Sequence, residues 1–203
     1  MFKVRFHGRG GQGVVTAADL LATAAYEDGR FVQSFPSFGS ERTGAPVVAY
    51  CRLDEREIRT RAPITEPDAL IVLDPTLVHQ VDLFSGLGGD GFVLVNTTRT
   101  FDALGLGTLV TRFGSERLVT VPATELALRH TGRSVPNATL LGGFSAMTGE
   151  VSIGSVITAI RHRFRDDPSV GERNAAAAAR AFAYVRRERG IETKEVTAGA
   201  SAD

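Results

Sequence analysis

The feature that most narrows the fold is a run of glycines set between a strand and a helix. Phe2, Val4 and Phe6 alternate with Lys3, Arg5 and His7, and a period of two in aromatic and β-branched residues predicts a strand with one apolar and one polar face. The strand runs directly into Gly8-Arg9-Gly10-Gly11-Gln12-Gly13, after which Val14, Val15, Ala18, Leu21, Ala22 and Ala25 recur at helical spacing as far as Tyr26. Asp28-Gly29 then supplies a stop, because glycine takes the left-handed conformation at a helix end without strain. Gly8, Gly10 and Gly13 match the G-x-G-x-x-G fingerprint in its proper strand-before, helix-after setting. In that setting a tight turn brings backbone N–H groups and the positive end of the helix dipole up to a phosphate or carboxylate. Glycines of this kind also serve simply to let helix and sheet approach.

The rest of the chain continues the alternation. Phe31–Phe35 is a short second strand, and residues 36–46 form a loop holding two prolines and two glycines before a third strand, Val47–Leu53. Ala69–Asp74 is an almost unbroken apolar run ending in an acid, the pattern of a buried parallel strand and its carboxyl edge. Pro75 opens a predicted helix at its first position, running to about Phe84. Gly91–Asn96 and Leu118–Val121 read as further buried strands. The remainder is helical: 122–131 stopped by Gly132, the small-residue segment 137–148, the striped segment 152–164, and an alanine-rich helix over 170–189 favoured by intrinsic propensity. Strands alternating with helices and followed by a helical cluster predict an α/β fold, a single Rossmann-like domain over residues 1–190 with a mostly parallel sheet and a helical carboxyl half. Residues 191–203 turn small and polar and are expected to be a disordered tail.

Composition removes several functions. The 203 residues carry 23 basic and 23 acidic side chains, for a formal net charge of zero. Non-specific nucleic-acid binding, which needs phosphate neutralisation, is therefore not expected. A neutral chain also lacks the self-repulsion that keeps a free protein dispersed, which suits an obligate partner. Cys51 is the only cysteine, so no internal disulfide, iron–sulfur cluster or four-thiolate zinc site can form on this chain. No stretch approaches the ~20 apolar residues of a membrane span and the start does not read as a signal peptide, so a cytoplasmic location is expected. Ordinary dinucleotide binding requires an acid at the end of the second strand for the ribose hydroxyls, and Phe35-Pro36-Ser37-Phe38 offers none.

Several blocks in order resemble one family. Gly8-Arg9-Gly10-Gly11-Gln12-Gly13-Val14-Val15-Thr16-Ala17-Ala18 looks like the opening of the gamma subunit of 2-oxoacid:ferredoxin oxidoreductases, which include the pyruvate and 2-ketoisovalerate enzymes. Phe35-Pro36-Ser37-Phe38-Gly39-Ser40-Glu41-Arg42-Thr43-Gly44-Ala45-Pro46 is similar to that family's loop, and Ala69–Thr76, Val95–Thr97, Val135–Phe144 and Glu172-Arg173-Asn174 resemble further blocks. The likeness spans residues 3 to 185. It implies a subunit of a complex that decarboxylates a 2-oxoacid on thiamine diphosphate with Mg2+, passes electrons through 4Fe–4S clusters to ferredoxin, and releases acyl-coenzyme A. Those redox cofactors belong, by the same resemblance, to alpha, beta and delta partner subunits or fused equivalents, with coenzyme A as co-substrate. The chain lacks the G-D-G…N diphosphate–magnesium signature, which agrees with the gamma role. A free-standing nucleotide- or flavin-binding oxidoreductase and a purely structural assembly subunit are the competing readings.

The candidate ligand-binding residues are Gly8, Arg9, Gly10, Gly11, Gln12, Gly13, Ser37, Glu41, Arg42 and Asn137; no catalytic residue and no metal ligand is assigned to this chain. Arg9 suits an anion such as a coenzyme A phosphate, or equally a salt bridge. Gln12 can present a donor and an acceptor to a ligand, or brace its own loop. The aromatic, charged loop 37–42 reads as a contact surface beside the glycine loop, for the thiamine-bearing subunits. Asp74 can hold the glycine loop or cap the helix after Pro75, with capping favoured, and Asn137 can cap its own helix. His7, His79, His130 and His162 show no metal spacing, and no serine sits in a hydrolase elbow.

Overall fold

The computed structural model describes residues 1–37 and 44–190. Its centre is a six-stranded sheet in the order β2-β3-β1-β4-β5-β6, built from β1 (Phe2–Arg9), β2 (Phe31–Pro36), β3 (Pro46–Asp54), β4 (Ala69–Val72), β5 (Phe92–Asn96) and β6 (Leu118–Val121). β1, β4, β5 and β6 pair in parallel, while β3 lies antiparallel to both β1 and β2. β3 alone therefore runs against the other strands, and the sheet is mostly parallel in direction. The hairpin β2–β3 folds back so that β3, rather than β2, lies beside β1 with Phe2 opposite Leu53 and Gly8 opposite Val47. Sequence periodicity cannot reveal this inserted strand, since it specifies faces and not neighbours.

One face of the sheet carries the larger core. Val4, Phe6, Cys51, Leu53, Ala69, Ile71, Leu94 and Val121 pack there beneath α1 (Val14–Glu27), α4 (Asn137–Thr148), α5 (Ile153–Arg163) and α6 (Pro168–Glu188). α3 (Ala123–Thr131) lies against α6. α4 is buried almost all round. A side chain on Gly142 would place its Cβ 1.9 Å from the Ala178 carbonyl oxygen of α6, so the two helices touch backbone to backbone. On the opposite face Leu70, Val72, Val93, Val95 and Leu118 form a second core with Leu77, Leu83, Leu87, Phe101 and Phe113. Burial on both faces explains why β4 and β5 are unbroken apolar runs. Among the described residues no helix is long and apolar enough to cross a membrane.

Three local expectations change. The Pro75 segment forms only a short 3-10 helix, Pro75–His79. Beyond it the carbonyls of Leu83 and Ser85 turn to the Arg5 guanidinium at 2.7 and 2.8 Å instead of continuing a helical ladder. Second, the polar face of β1 is not solvated: Arg5 and His7 are both buried. Arg5 also donates to the Ile64 carbonyl and, through Nε, to His7 Nε2 at 3.0 Å. Neutral carbonyls thus receive a buried cation, and His7 must stay unprotonated to accept. Burial and then the Arg5 charge push His7 down to about 3. Third, α2 (Gly107–Phe113) has no counterpart in the sequence pattern: it follows Gly105-Leu106 and has no side-chain cap, so only the burial of Phe113 marks it.

Candidate functional site

The glycine loop leaves the carboxyl end of β1 and enters α1 with Gly13 as the residue before the first turn, at φ 75° and ψ 37°. This left-handed conformation strains any residue with a Cβ. Gly8 is required for a different reason, because a Cβ there would lie 2.6 Å from Val14 Cγ2 and 3.1 Å from Leu73 Cβ. The loop is held in shape by side chains. Arg9 N–H donates to Gln12 Oε1 at 2.8 Å while Gln12 N–H returns to the Arg9 carbonyl at 3.1 Å, so Gln12 closes the turn on itself. Its Nε2 then donates to Asp74 Oδ2 at 2.9 Å.

Asp74 sits at the carboxyl edge of β4 and is buried. Oδ1 accepts from the Thr76 amide (2.9 Å) and hydroxyl (2.6 Å), and Oδ2 accepts from Gln12 and from Arg9 Nε at 3.1 Å. Capping and loop-holding, posed above as alternatives, are thus shared between its two oxygens. Burial acts to raise this carboxyl, but the Thr76 and Gln12 bonds and the Arg9 charge outweigh it and hold it below the ordinary carboxylate range.

Arg9 spreads across four partners: Asp74, the Gly44 carbonyl (3.0 Å), Thr76 Oγ1 (3.0 Å) and Gln80 Oε1 (2.7 Å). Bonded in this way it is a strut. At the entry to α1 the backbone N–H groups of Gly11, Gly13 and Val14, like those of Val15 and Thr16 in the first turn, have no acceptor among the described residues. Gly10 N–H donates to the Ala45 carbonyl at 3.0 Å, which with the Arg9–Gly44 bond fastens the returning limb of the 37–45 loop beside the glycine loop.

Asn137 comes to the same place from the far half of the sequence. A Cβ on Gly13 would lie 2.4 Å from Asn137 Nδ2. Asn137 is the first residue of α4 and not its cap; Pro136 holds that position, and Asn137 Oδ1 accepts from the Ala138 amide at 2.7 Å. It also lines a cleft of about 350 Å³ with Arg133, Val135, Phe164, Arg173 and Asn174, so two of the sequence blocks noted above meet beside the loop. Gly8, Arg9, Gly10, Gly11, Gln12, Gly13 and Asn137 are therefore brought together. Ser37 stands at the foot of the neighbouring loop, its N–H on the Val48 carbonyl at 2.9 Å; Glu41 and Arg42 lie outside the described residues. Thr76 and Gln80 join the site without having been expected there, and only the Asp-Pro-Thr that follows β4 hints at Thr76.

Two negative observations complete the site. Among the described residues no group of three or more His, Cys, Asp or Glu side chains can hold a metal ion, and Cys51 is buried with its thiol pushed up by desolvation. The strand after α1 is displaced to the sheet edge by β3, so the place where a dinucleotide-binding fold sets its ribose-binding acid is not reproduced beside the loop.

The family model described as pyruvate ferredoxin/flavodoxin oxidoreductase matches residues 3–184. Pyruvate synthase subunit PorC of Methanothermobacter marburgensis is 46% identical over 182 residues, covering 90% of this chain and 96% of that one. The common gamma subunit of the pyruvate/ketoisovalerate oxidoreductases of Pyrococcus abyssi is 47% identical with the same coverage. The crystal structure of the pyruvate oxidoreductase subunit PORC from Thermotoga maritima superposes with a TM-score of 0.75 at 34% identity, over 90% of this chain and 95% of that one. The chain belongs to the pyruvate ferredoxin/flavodoxin oxidoreductase family, as a gamma-type oxidoreductase subunit.

Proposed function

We propose that residues 1–190 act as the gamma component of a cytoplasmic complex that converts a 2-oxoacid such as pyruvate, coenzyme A and oxidised ferredoxin to acyl-coenzyme A, carbon dioxide and reduced ferredoxin. Thiamine diphosphate, Mg2+ and the 4Fe–4S clusters are assigned to alpha, beta and delta partners or their fused equivalents. This chain's donor set does not fit the clusters, since one buried thiol cannot ligate one. No step of the redox chemistry is therefore routed through its residues.

What it contributes is a rigid anion cradle. The reading rests on one observation above all: N–H groups of Gly11, Gly13 and Val14 without an acceptor among the described residues stand at the amino end of α1 in a loop pinned by Asp74, Gln12 and Arg9. Such amides favour a phosphate or carboxylate, and coenzyme A is the substrate of this reaction that carries phosphate groups. Arg133 and Arg173 in the adjoining cleft add positive charge for the same ligand, and Asn137 supplies the nearest side-chain donor. Ser37, Glu41 and Arg42 are assigned to the contact with the thiamine-bearing chains.

Co-purification from the native cell is the first test: alpha-, beta- and delta-type chains carrying thiamine diphosphate and iron should accompany this one. The second is Gly11→Val in the assembled complex. Gly11 has φ 93°, and a Cβ there would meet nothing within 4 Å, so a valine has room but strains the backbone that carries the cradle's amides. The KM for coenzyme A should rise while that for the 2-oxoacid holds; an unchanged KM for coenzyme A removes the cradle from the reaction and leaves a scaffold.

A further inference from the structure

We propose that Asp74 is a positioning residue for the acyl acceptor, acting through the glycine loop without touching the ligand. The inference rests on the coenzyme A reading above and adds to it which side chain presets the cradle. A loop holding glycine at four of six positions, 8–13, has an unusually large conformational freedom to lose. If that freedom were lost only on binding, affinity would fall by the fraction of time the loop spends in its competent form.

The geometry points to Asp74 as the group that removes it beforehand. Oδ1 is committed to Thr76 and so keeps the carboxylate fixed at the edge of β4. Oδ2 then receives two donors from opposite ends of the loop, Arg9 Nε from its start and Gln12 Nε2 from its end. Gly10 and Gly11 are spanned between them, and the Gln12 Oε1 bond to the Arg9 amide closes the same turn. Arg9 carries the restraint onward to the Gly44 carbonyl. One carboxylate oxygen thus holds the loop, and through Arg9 the neighbouring limb, in register with β4.

Asp74→Asn separates the two halves of this arrangement. The amide oxygen can still accept from Thr76 and cap the 3-10 helix, but an NH2 group replaces Oδ2 and meets the donors of Arg9 and Gln12 with hydrogens of its own. Gln12→Met removes the loop-side donor and acceptor at similar length and leaves the Asp74 cap untouched. Both are made in the whole complex, and KM for coenzyme A, KM for the 2-oxoacid, kcat and subunit stoichiometry are measured for each, with Gly11→Val alongside. If the loop falls to about one tenth competent, KM for coenzyme A rises about tenfold while kcat at saturating coenzyme A and the 2-oxoacid KM hold. A purely structural aspartate would instead lower the yield of assembled complex and leave both KM values alone, so loss of assembly in either variant, or an unmoved coenzyme A KM in Gln12→Met, overturns the proposal. An effect of Gly11→Val with none from the other two sinks the role of Asp74 alone, whereas no effect from any of the three sinks the coenzyme A reading beneath it.

Discussion

Gly13→Ala tests whether the cradle depends on the left-handed entry to α1 and on the contact with α4. Two costs oppose it. At φ 75° and ψ 37° an alanine carries roughly 1–2 kcal/mol of backbone strain. Its Cβ would also lie 2.4 Å from Asn137 Nδ2, 3.1 Å from Cγ and 3.3 Å from Cβ, so the Asn137 side chain must swing away and give up its 2.7 Å bond to the Ala138 amide, worth about 1 kcal/mol. The combined loss is about 2–3 kcal/mol. The two parts separate in a double-mutant cycle, because in an Asn137→Ala background the obstacle is absent and only the backbone strain of roughly 1–2 kcal/mol remains. Urea unfolding followed by circular dichroism measures each corner, with an unchanged m value as the sign that the end states are comparable. The coupling should be about 1 kcal/mol, beyond the 0.3–0.5 kcal/mol within which independent sites add, roughly. Additive costs would refute the contact. A neutral or stabilising Gly13→Ala would refute the left-handed entry itself, since glycine replacement at a compatible site typically stabilises by about 0.4–1 kcal/mol.

Two further outcomes follow from the fold. His7 is held down to about 3, against an ordinary 6.5, by burial and by Arg5, so below about pH 6.5 the unfolded chain takes up a proton that the fold refuses. Stability is then full above that value and falls as pH drops toward 3, by up to roughly 1.4 kcal/mol per unit; His7→Gln keeps an acceptor for Arg5 and should flatten the slope between about pH 6.5 and 4.5, above most carboxylates. An equal slope in both proteins would count against the neutral, Arg5-bonded imidazole. Gly142→Ala drives a Cβ to 1.9 Å from the Ala178 carbonyl oxygen, and since backbone meets backbone, α6 must move by more than an ångström. Calorimetry should show a loss of about 3 kcal/mol, or a Tm lower by about 6–12 °C, and a Tm within about 2 °C of the parent would show that α4 and α6 do not pack this closely.

The sequence carries the elements well and their neighbours poorly. Alternation in Phe2–Phe6, the apolar runs at 69–74 and 92–96, and the stripe Ile153–Ile160 each report a local period, and all emerge as the expected strands and helix. The position of β3 between β1 and β2 is a matter of pairing, on which a period is silent. Arg5 misleads for a related reason: in a strand it reads as solvated, and the carbonyls of Ile64, Leu83 and Ser85 that bury it come from 59 to 80 residues away. At the site, the glycines are legible because each answers a local backbone demand. Gln12 and Asp74 are legible as residues capable of bracing, and their union is not, since 62 residues separate the partners. Asn137 falls at a helix start as expected, one place inside the cap position, with its oxygen on the Ala138 amide and its Nδ2 against Gly13. Thr76 is hinted at only by the Asp-Pro-Thr that follows β4, and Gln80, an ordinary polar residue after it, gives no sign that it receives Arg9.

The hairpin between β2 and β3 is closed at one foot by the Ser37 amide on Val48 of its own second strand, and its other foot is tied to the glycine loop by Gly10 on Ala45 and Arg9 on Gly44. The glycine loop and the returning limb of the hairpin therefore share one set of hydrogen bonds, and a change at Gly44 or Ala45 is transmitted through Arg9 and Gly10 to the entry of α1.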